Sequence, residues 1–128
     1  MSKRVLIVDD DAAIRRLYAT ILTKHGYDVI ERESADDLVA LVVAAEPLVL
    51  LLDLMMPAVD GLEAAERVRR DWRTQDVRII MLSAAASFEA ARRATEIGVE
   101  RYLVKPIRSD ALVAAVEGRS PERIRSVA

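Results

Sequence analysis

The chain alternates short, wholly apolar runs with segments whose apolar residues recur every three or four positions, and this alternation predicts its elements. Residues 5–8, Val-Leu-Ile-Val, are four apolar positions in succession, as in a strand buried on both faces. Ile14, Leu17, Tyr18, Ile21 and Leu22 then share one face of a helix, with Asp11 placed to cap its first turn. Lys24, His25 and Gly26 close it, because cations suit the last turn and glycine tolerates a left-handed cap. Residues 27–31 read as a short strand. Ser34 is the expected N-cap of a second helix, with Asp37 three residues on. Leu38, Leu41, Val42 and Ala45 form its apolar face, and Pro47 breaks it.

Residues 48–52 predict another doubly buried strand, ending at Asp53, and Pro57, Asp60 and Gly61 mark a loop. In the helix beyond, Leu62, Ala65, Val68 and Trp72 are expected inward. Arg67, Arg69, Arg70 and Arg73 are expected outward, as a solvated face. Residues 77–82 form a strand interrupted by Arg78 and ending at Ser83. Residues 87–97 make a weak helix whose only large apolar residues are Phe88 and Ile97. Residues 101–104 are the last strand, ending at Lys105 and Pro106, and residues 109–117 the last helix, burying Leu112, Ala115 and Val116. Five strands alternating with five helices imply an α/β fold with a parallel sheet between two helical layers. Residues 1–117 make one domain, and residues 118–128 read as a tail or the start of a linker.

Composition narrows the chemistry. The 128 residues are 52% apolar and 31% charged, which excludes a disordered chain. Nineteen basic against 21 acidic side chains leave a net charge of −2, not the footprint of a nucleic-acid binder. With no Cys and one His, disulfides, thiolate zinc sites, thiol catalysis and multi-histidine metal sites are excluded, and oxygen chemistry remains. His25 reads as a helix-terminal charge. The first apolar run is too short for a signal peptide, and the longest, residues 38–45, is too short to span a membrane; a cytoplasmic location is expected.

In an open α/β sheet, ligands bind beyond the carboxyl ends of the strands. Asp9 and Asp10 follow the first apolar run, Asp53 the third, Ser83 the fourth and Lys105 the fifth; the second strand offers nothing distinctive. Polar residues often end strands, but five chemically compatible ones are less readily accidental. Carboxylates held together repel unless a cation lies between them, and a hard ion with oxygen ligands, Mg²⁺ above all (with Mn²⁺ as a substitute), meets that need. The metal and Lys105 would share the oxygens of a phosphoryl group while Ser83 donates to it. Phosphoryl transfer depends chiefly on such positioning and neutralisation, and a carboxylate is an adequate nucleophile toward phosphorus. No Gly-rich phosphate loop is present.

These residues resemble the response-regulator receiver domain of two-component signalling, over residues 3 to about 117. The matching pieces are VLIVDDD (5–11), LLLDLMMPAVDG (50–61), IIMLSA (79–84) and YLVKP (102–106), in the expected order. The resemblance implies a flavodoxin-like (βα)5 three-layer sandwich with a five-stranded parallel sheet of order 2-1-3-4-5. It implies Asp53 as phosphoacceptor, with Mg²⁺ held by Asp9, Asp10, Asp53 and the backbone carbonyl of Met55. It further implies Ser83 and Lys105 as phosphoryl-binding residues, Tyr102 as the aromatic switch, and a cis bond before Pro106. A histidine kinase or histidine phosphotransfer protein would supply the phosphoryl group. The face of the fourth helix, fifth strand and fifth helix would then signal to an output partner that the sequence does not identify. Such a chain is a phosphoacceptor rather than an enzyme, with no nucleic acid or membrane contact by this segment. A weak homodimer through that same face is left open.

Two positions depart from the polar residues common in fast-cycling members: Met55, two after the phosphoacceptor, and Ala85, two after Ser83. Neither can orient the water that hydrolyses an acyl phosphate, so a long-lived phospho-form is expected. Ala84, Ala85 and Ala86 otherwise only leave room. Two rival functions are weaker. A haloacid dehalogenase-type phosphatase would use Asp9 as nucleophile in an Asp-x-Asp with Asp11. It lacks the later acidic pair, since only Asp110, Glu117 and Glu122 follow Lys105, and it leaves Asp53 unexplained. A degenerate receiver acting only as a protein-binding module is hard to reconcile with the complete acidic set.

Overall fold

A computed structural model describes residues 3–56 and 59–119, with Met55 and Val59 described by their backbone alone. Pro57 and the tail from residue 120 onward lie outside the described residues. Five strands make the main sheet: β1 (Arg4–Val8), β2 (Asp28–Arg32), β3 (Val49–Asp53), β4 (Arg78–Ser83) and β5 (Arg101–Val104). They are all parallel, in the order β2-β1-β3-β4-β5. Met55–Met56 and Val59–Asp60 pair as a small antiparallel ribbon after β3. The helices are α1 (Ala12–Lys24), α2 (Leu38–Ala45), α3 (Gly61–Arg70), α4 (Phe88–Ile97) and α5 (Ser109–Glu117).

The apolar runs become strands with both faces covered because successive side chains point to opposite sides of a sheet. Leu6, Val8, Leu50, Leu52, Ile79 and Met81 pack beneath α2, α3 and α4. Val5, Ile7, Val49, Leu51, Ile80 and Leu82 pack against α1 and α5. Burying each such side chain stabilises the fold by roughly 1.5–3 kcal/mol, so the sheet register is strongly specified. Crossover connections on both faces leave every strand's carboxyl end on one rim.

Some expected positions differ. Leu17 is 51% exposed, because the face of α1 against the sheet is taken by Tyr18, Ala19 and Leu22. Trp72 is 81% exposed: α3 ends at Arg70, so the helical period that placed Trp72 inward no longer applies. Ser34 does not cap α2. Its hydroxyl accepts from the Asp36 amide in a turn, and the helix starts only after Asp37, which takes a left-handed conformation at φ 53°.

Two arginines read as surface or interruption are structural. Arg69 turns inward and donates to the carbonyls of Gln75, Val77 and Gly98, tying the end of α4 to the approach to β4. Arg78 pairs with Glu100 and donates to the carbonyls of Ala115 and Val116, closing the last turn of α5. The expected Asp11 cap is present, its Oδ1 accepting from the amides of Ala13 and Ile14 at 3.1 Å. Nδ1 of His25 lies 2.9 Å from the Ile21 carbonyl at the end of α1.

Candidate functional site

The rim gathers the five residues that follow the apolar runs. Asp9 leaves β1 fully buried, with each of its polar groups engaged. Its amide donates to the Arg32 carbonyl at 3.1 Å, and its carbonyl accepts from Nη1 of Arg15 at 2.7 Å. Oδ1 accepts from the Asp11 amide at 2.9 Å and Oδ2 from Nζ of Lys105 at 2.7 Å. Asp53, at the end of β3, is also buried, and its Oδ1 lies 3.5 Å from Nζ of Lys105. Asp10 stays exposed.

One oxygen from each of Asp9, Asp10 and Asp53 lies within 4.8 Å of the others. Three carboxylate oxygens and no sulfur or imidazole form a hard donor set, which suits Mg²⁺ or Mn²⁺ rather than a soft ion. Lys105 answers part of the charge already. Burial alone would lower the pKa of its ammonium, but Asp9 and Asp53 outweigh that and hold the net value above the ordinary 10.5.

The chain path places these groups for local reasons. Asp60 caps α3 through the amides of Leu62 and Glu63. Gly61 follows where an added Cβ would stand 2.9 Å from Cα of Leu54 and 3.1 Å from the Asp53 carbonyl oxygen. Only glycine lets α3 start so close to the end of β3. On the far side, the amide of Lys105 donates to the Ser83 carbonyl at 2.7 Å, and the Lys105–Pro106 bond is cis.

Ser83 is buried, with its hydroxyl 3.1 Å from both the amide and the carbonyl oxygen of Ala85. The hydroxyl of Tyr102 donates to that same carbonyl at 3.0 Å. The backbone of Ala85, whose side chain was expected only to leave room and to lengthen the life of a phospho-form, is thus the shared partner of both hydroxyl residues. Met55 opens the ribbon two residues beyond Asp53; its side chain, one of the two expected to face the hydrolytic water, lies outside what the structure describes.

All five rim residues therefore lie where the strand ends predicted, with Tyr102 joined to Ser83 through Ala85. Arg15 and Glu31 were missed. Nε of Arg15 donates to Oε1 of Glu31 at 3.1 Å while its Nη1 holds Asp9, so β2, which seemed to contribute nothing, supports the rim. The available sequence signal was an arginine one turn after the cap and a carboxylate near a strand end, and a separation of 16 positions hides such a pair.

The sequence matches the response regulator receiver domain family over residues 5–117, and the chain belongs to that family. The phosphate regulon transcriptional regulatory protein PhoB of Pseudomonas aeruginosa is 38% identical over 117 residues, 91% of this chain and 51% of that protein. The chain thus spans about half the length of the curated relatives it matches. A CheY-like receiver domain protein from Methanospirillum hungatei superposes with a TM-score of 0.85 at 27% identity, covering 98% of this chain and 99% of the other. A response regulator from Burkholderia pseudomallei, solved with a phosphorylated aspartic acid, a calcium ion and citrate, gives 0.84 at 26% identity, covering 99% of this chain and 74% of the other. The parallel order of the sheet is that of these two-component signalling domains.

Proposed function

We propose that this chain accepts a phosphoryl group on Asp53 and uses the acyl phosphate to reset its α4–β5–α5 face. The observation that carries the reading is the position of Lys105, whose ammonium reaches two buried carboxylates at the ends of neighbouring strands, Asp9 at 2.7 Å and Asp53 at 3.5 Å. In the transfer, a carboxylate oxygen of Asp53 forms a bond to phosphorus as the bond from phosphorus to a donor histidine nitrogen breaks, and the imidazole leaves. Asp9, Asp10, Asp53 and the Met55 carbonyl would hold Mg²⁺ (or Mn²⁺), which when bound supplies charge neutralisation for the carboxylates and the phosphoryl oxygens. Lys105 moves its ammonium from the carboxylates toward the new phosphoryl oxygens. Ser83 turns its hydroxyl from Ala85 to the phosphoryl group, which frees the carbonyl it shares with Tyr102 and lets the ring reorient.

The partners follow from this chemistry: a histidine kinase or histidine phosphotransfer protein as donor, and an output domain or protein as reader, in the cytoplasm. The phosphorylated aspartate of the Burkholderia pseudomallei relative supports the same acceptor chemistry here. The chain assists its own phosphorylation and dephosphorylation and turns over no separate substrate. Residues 1–117 form the phosphoaccepting unit and the remainder a tail or linker.

The test is incubation with Mg²⁺ and a small phosphodonor, followed by mass spectrometry of wild type and Asp53→Asn. A phosphoryl mass on Asp53, absent from the variant, is expected. Identical spectra would defeat the reading, and a phosphoryl group on Asp9 would favour a phosphatase.

A further inference from the structure

Arg15 is the one cation of α1 that turns toward the acidic rim, and it does so without touching a carboxylate of the trio. Its side chain is only 15% exposed. Nη1 donates to the backbone carbonyl of Asp9 at 2.7 Å and Nε to Glu31 at 3.1 Å. The second oxygen of Glu31 takes Nε of Arg16 at 3.4 Å, so the carboxylate is fixed between two guanidinium groups. A planar guanidinium can make both of Arg15's bonds at once because its donors form a rigid fork.

We infer that Arg15, braced by Glu31, is a positioning residue for the acidic site. By holding the Asp9 carbonyl it fixes the turn that presents Asp9 and Asp10, and so sets the affinity of the cluster for a divalent cation. This rests on the phosphoacceptor reading above. The effect runs through the hydrogen bond rather than the field. Glu31 compensates the charge of Arg15 locally, and an uncompensated cation beside the site would oppose metal binding. The two routes have opposite signs. If Arg15 acted by charge, removing it would tighten cation binding; if it acts by position, removing it loosens the turn and weakens binding.

Arg4 provides the control. At the other end of the same strand its Nη1 donates to the Ala45 carbonyl at 2.7 Å, another arginine strap on a backbone oxygen but far from the rim. Mg²⁺ alone is titrated into isotopically labelled wild type, Arg15→Met, Arg15→Lys, Glu31→Gln and Arg4→Met, following the Asp10 and Asp53 amides by NMR and checking each fold by thermal melt. Outer-sphere partners of metal ligands typically set affinity by a factor of 10–100, so Arg15→Met should raise the Mg²⁺ Kd about tenfold and Arg4→Met should stay within about twofold. Arg15→Lys, which keeps the charge but loses the fork, should fall between.

The phosphorylation rate of Arg15→Met should return to wild type at saturating Mg²⁺, which a general loss of structure would not allow. Tighter or unchanged binding in Arg15→Met, equal shifts in Arg15→Met and Arg4→Met, or a wild-type Kd in Arg15→Lys would overturn the inference. Should Arg15→Met fail to fold, Arg15→Lys and Glu31→Gln decide it by the same titration, and wild-type affinity in both would overturn it. A wild type that binds no Mg²⁺ would instead overturn the phosphoacceptor reading, and this inference with it.

Discussion

The ammonium of Lys105 stands 2.7 Å from Oδ2 of Asp9 and 3.5 Å from Oδ1 of Asp53, joining the strand ends of β1 and β3 through a residue that follows β5. Two carboxylates that are almost wholly buried would repel without it. The same ammonium is the group that a phosphoryl oxygen would attract, so one side chain serves the resting site and the loaded one.

Replacing Lys105 by Met should therefore destabilise the metal-free protein. Removing one partner leaves buried charge uncompensated, a loss on the order of 3 kcal/mol, the low end for a buried pair because Lys105 keeps some exposure. Mg²⁺ should recover much of it by taking over the neutralisation, so the thermal midpoint of Lys105→Met should rise more with Mg²⁺ than that of wild type. Equal rises in the two proteins would contradict this role.

Tyr102 and Ser83 share the Ala85 carbonyl, and α4 begins directly after that loop. Among the described residues, α4 buries only Ala94, and Phe88 at its start is 86% exposed. An element held by so few apolar contacts opens readily. Relaxation-dispersion NMR should find exchange in residues 87–97 and not in α1, and a phosphoryl mimic should change it. In Ser83→Ala the Tyr102 ring should no longer respond to the mimic. A helix α4 as rigid as α1 in both states would remove the basis of the switch.

The phospho-form should outlast a time course in the range of seconds, because the side chain of Ala85 carries no polar group to orient a hydrolytic water. Ala85→Asn should shorten the lifetime without altering the rate of phosphorylation. Phosphate release from both proteins measures this directly, and loss within seconds in wild type would contradict it.

Arg78 makes the acid side of the stability profile testable away from the site. Its hydrogen bonds hold the Glu100 carboxyl below the ordinary value of 4.5, against the opposing effect of partial burial. A folded-state value below the unfolded one means that the contribution is complete above the unfolded pKa and is lost as pH falls through the folded value. Glu100→Gln should cost roughly 0.5–1 kcal/mol at neutral pH, the upper range for a partly exposed pair. In urea melts the gap between the two proteins should shrink steadily below about pH 4.5. A gap independent of pH would show that the charge is not involved.

The strands were legible because each inner one is apolar on both faces, a pattern that only a doubly covered sheet requires. The helices were legible in type but not in their edges. Trp72 kept the right interval from Val68, yet α3 stops two residues earlier, and nothing local marks that stop. Ser34 had the composition of a cap, but the chain makes its turn around Asp37 first.

The sequence by itself determined the order of elements, the composition of the rim and the motifs that mark the family, since strand ends in a parallel sheet must share one edge. Only the tertiary structure decided which polar groups hold which. Arg15 reaches Asp9 through a fork shared with Glu31, Arg69 closes the end of α4, and Ala85 offers one carbonyl to two hydroxyls. Each of these depends on backbone carbonyls brought near by the packing of distant segments. A carbonyl has the same chemistry at every residue, so its role cannot be read from the side chain written above it.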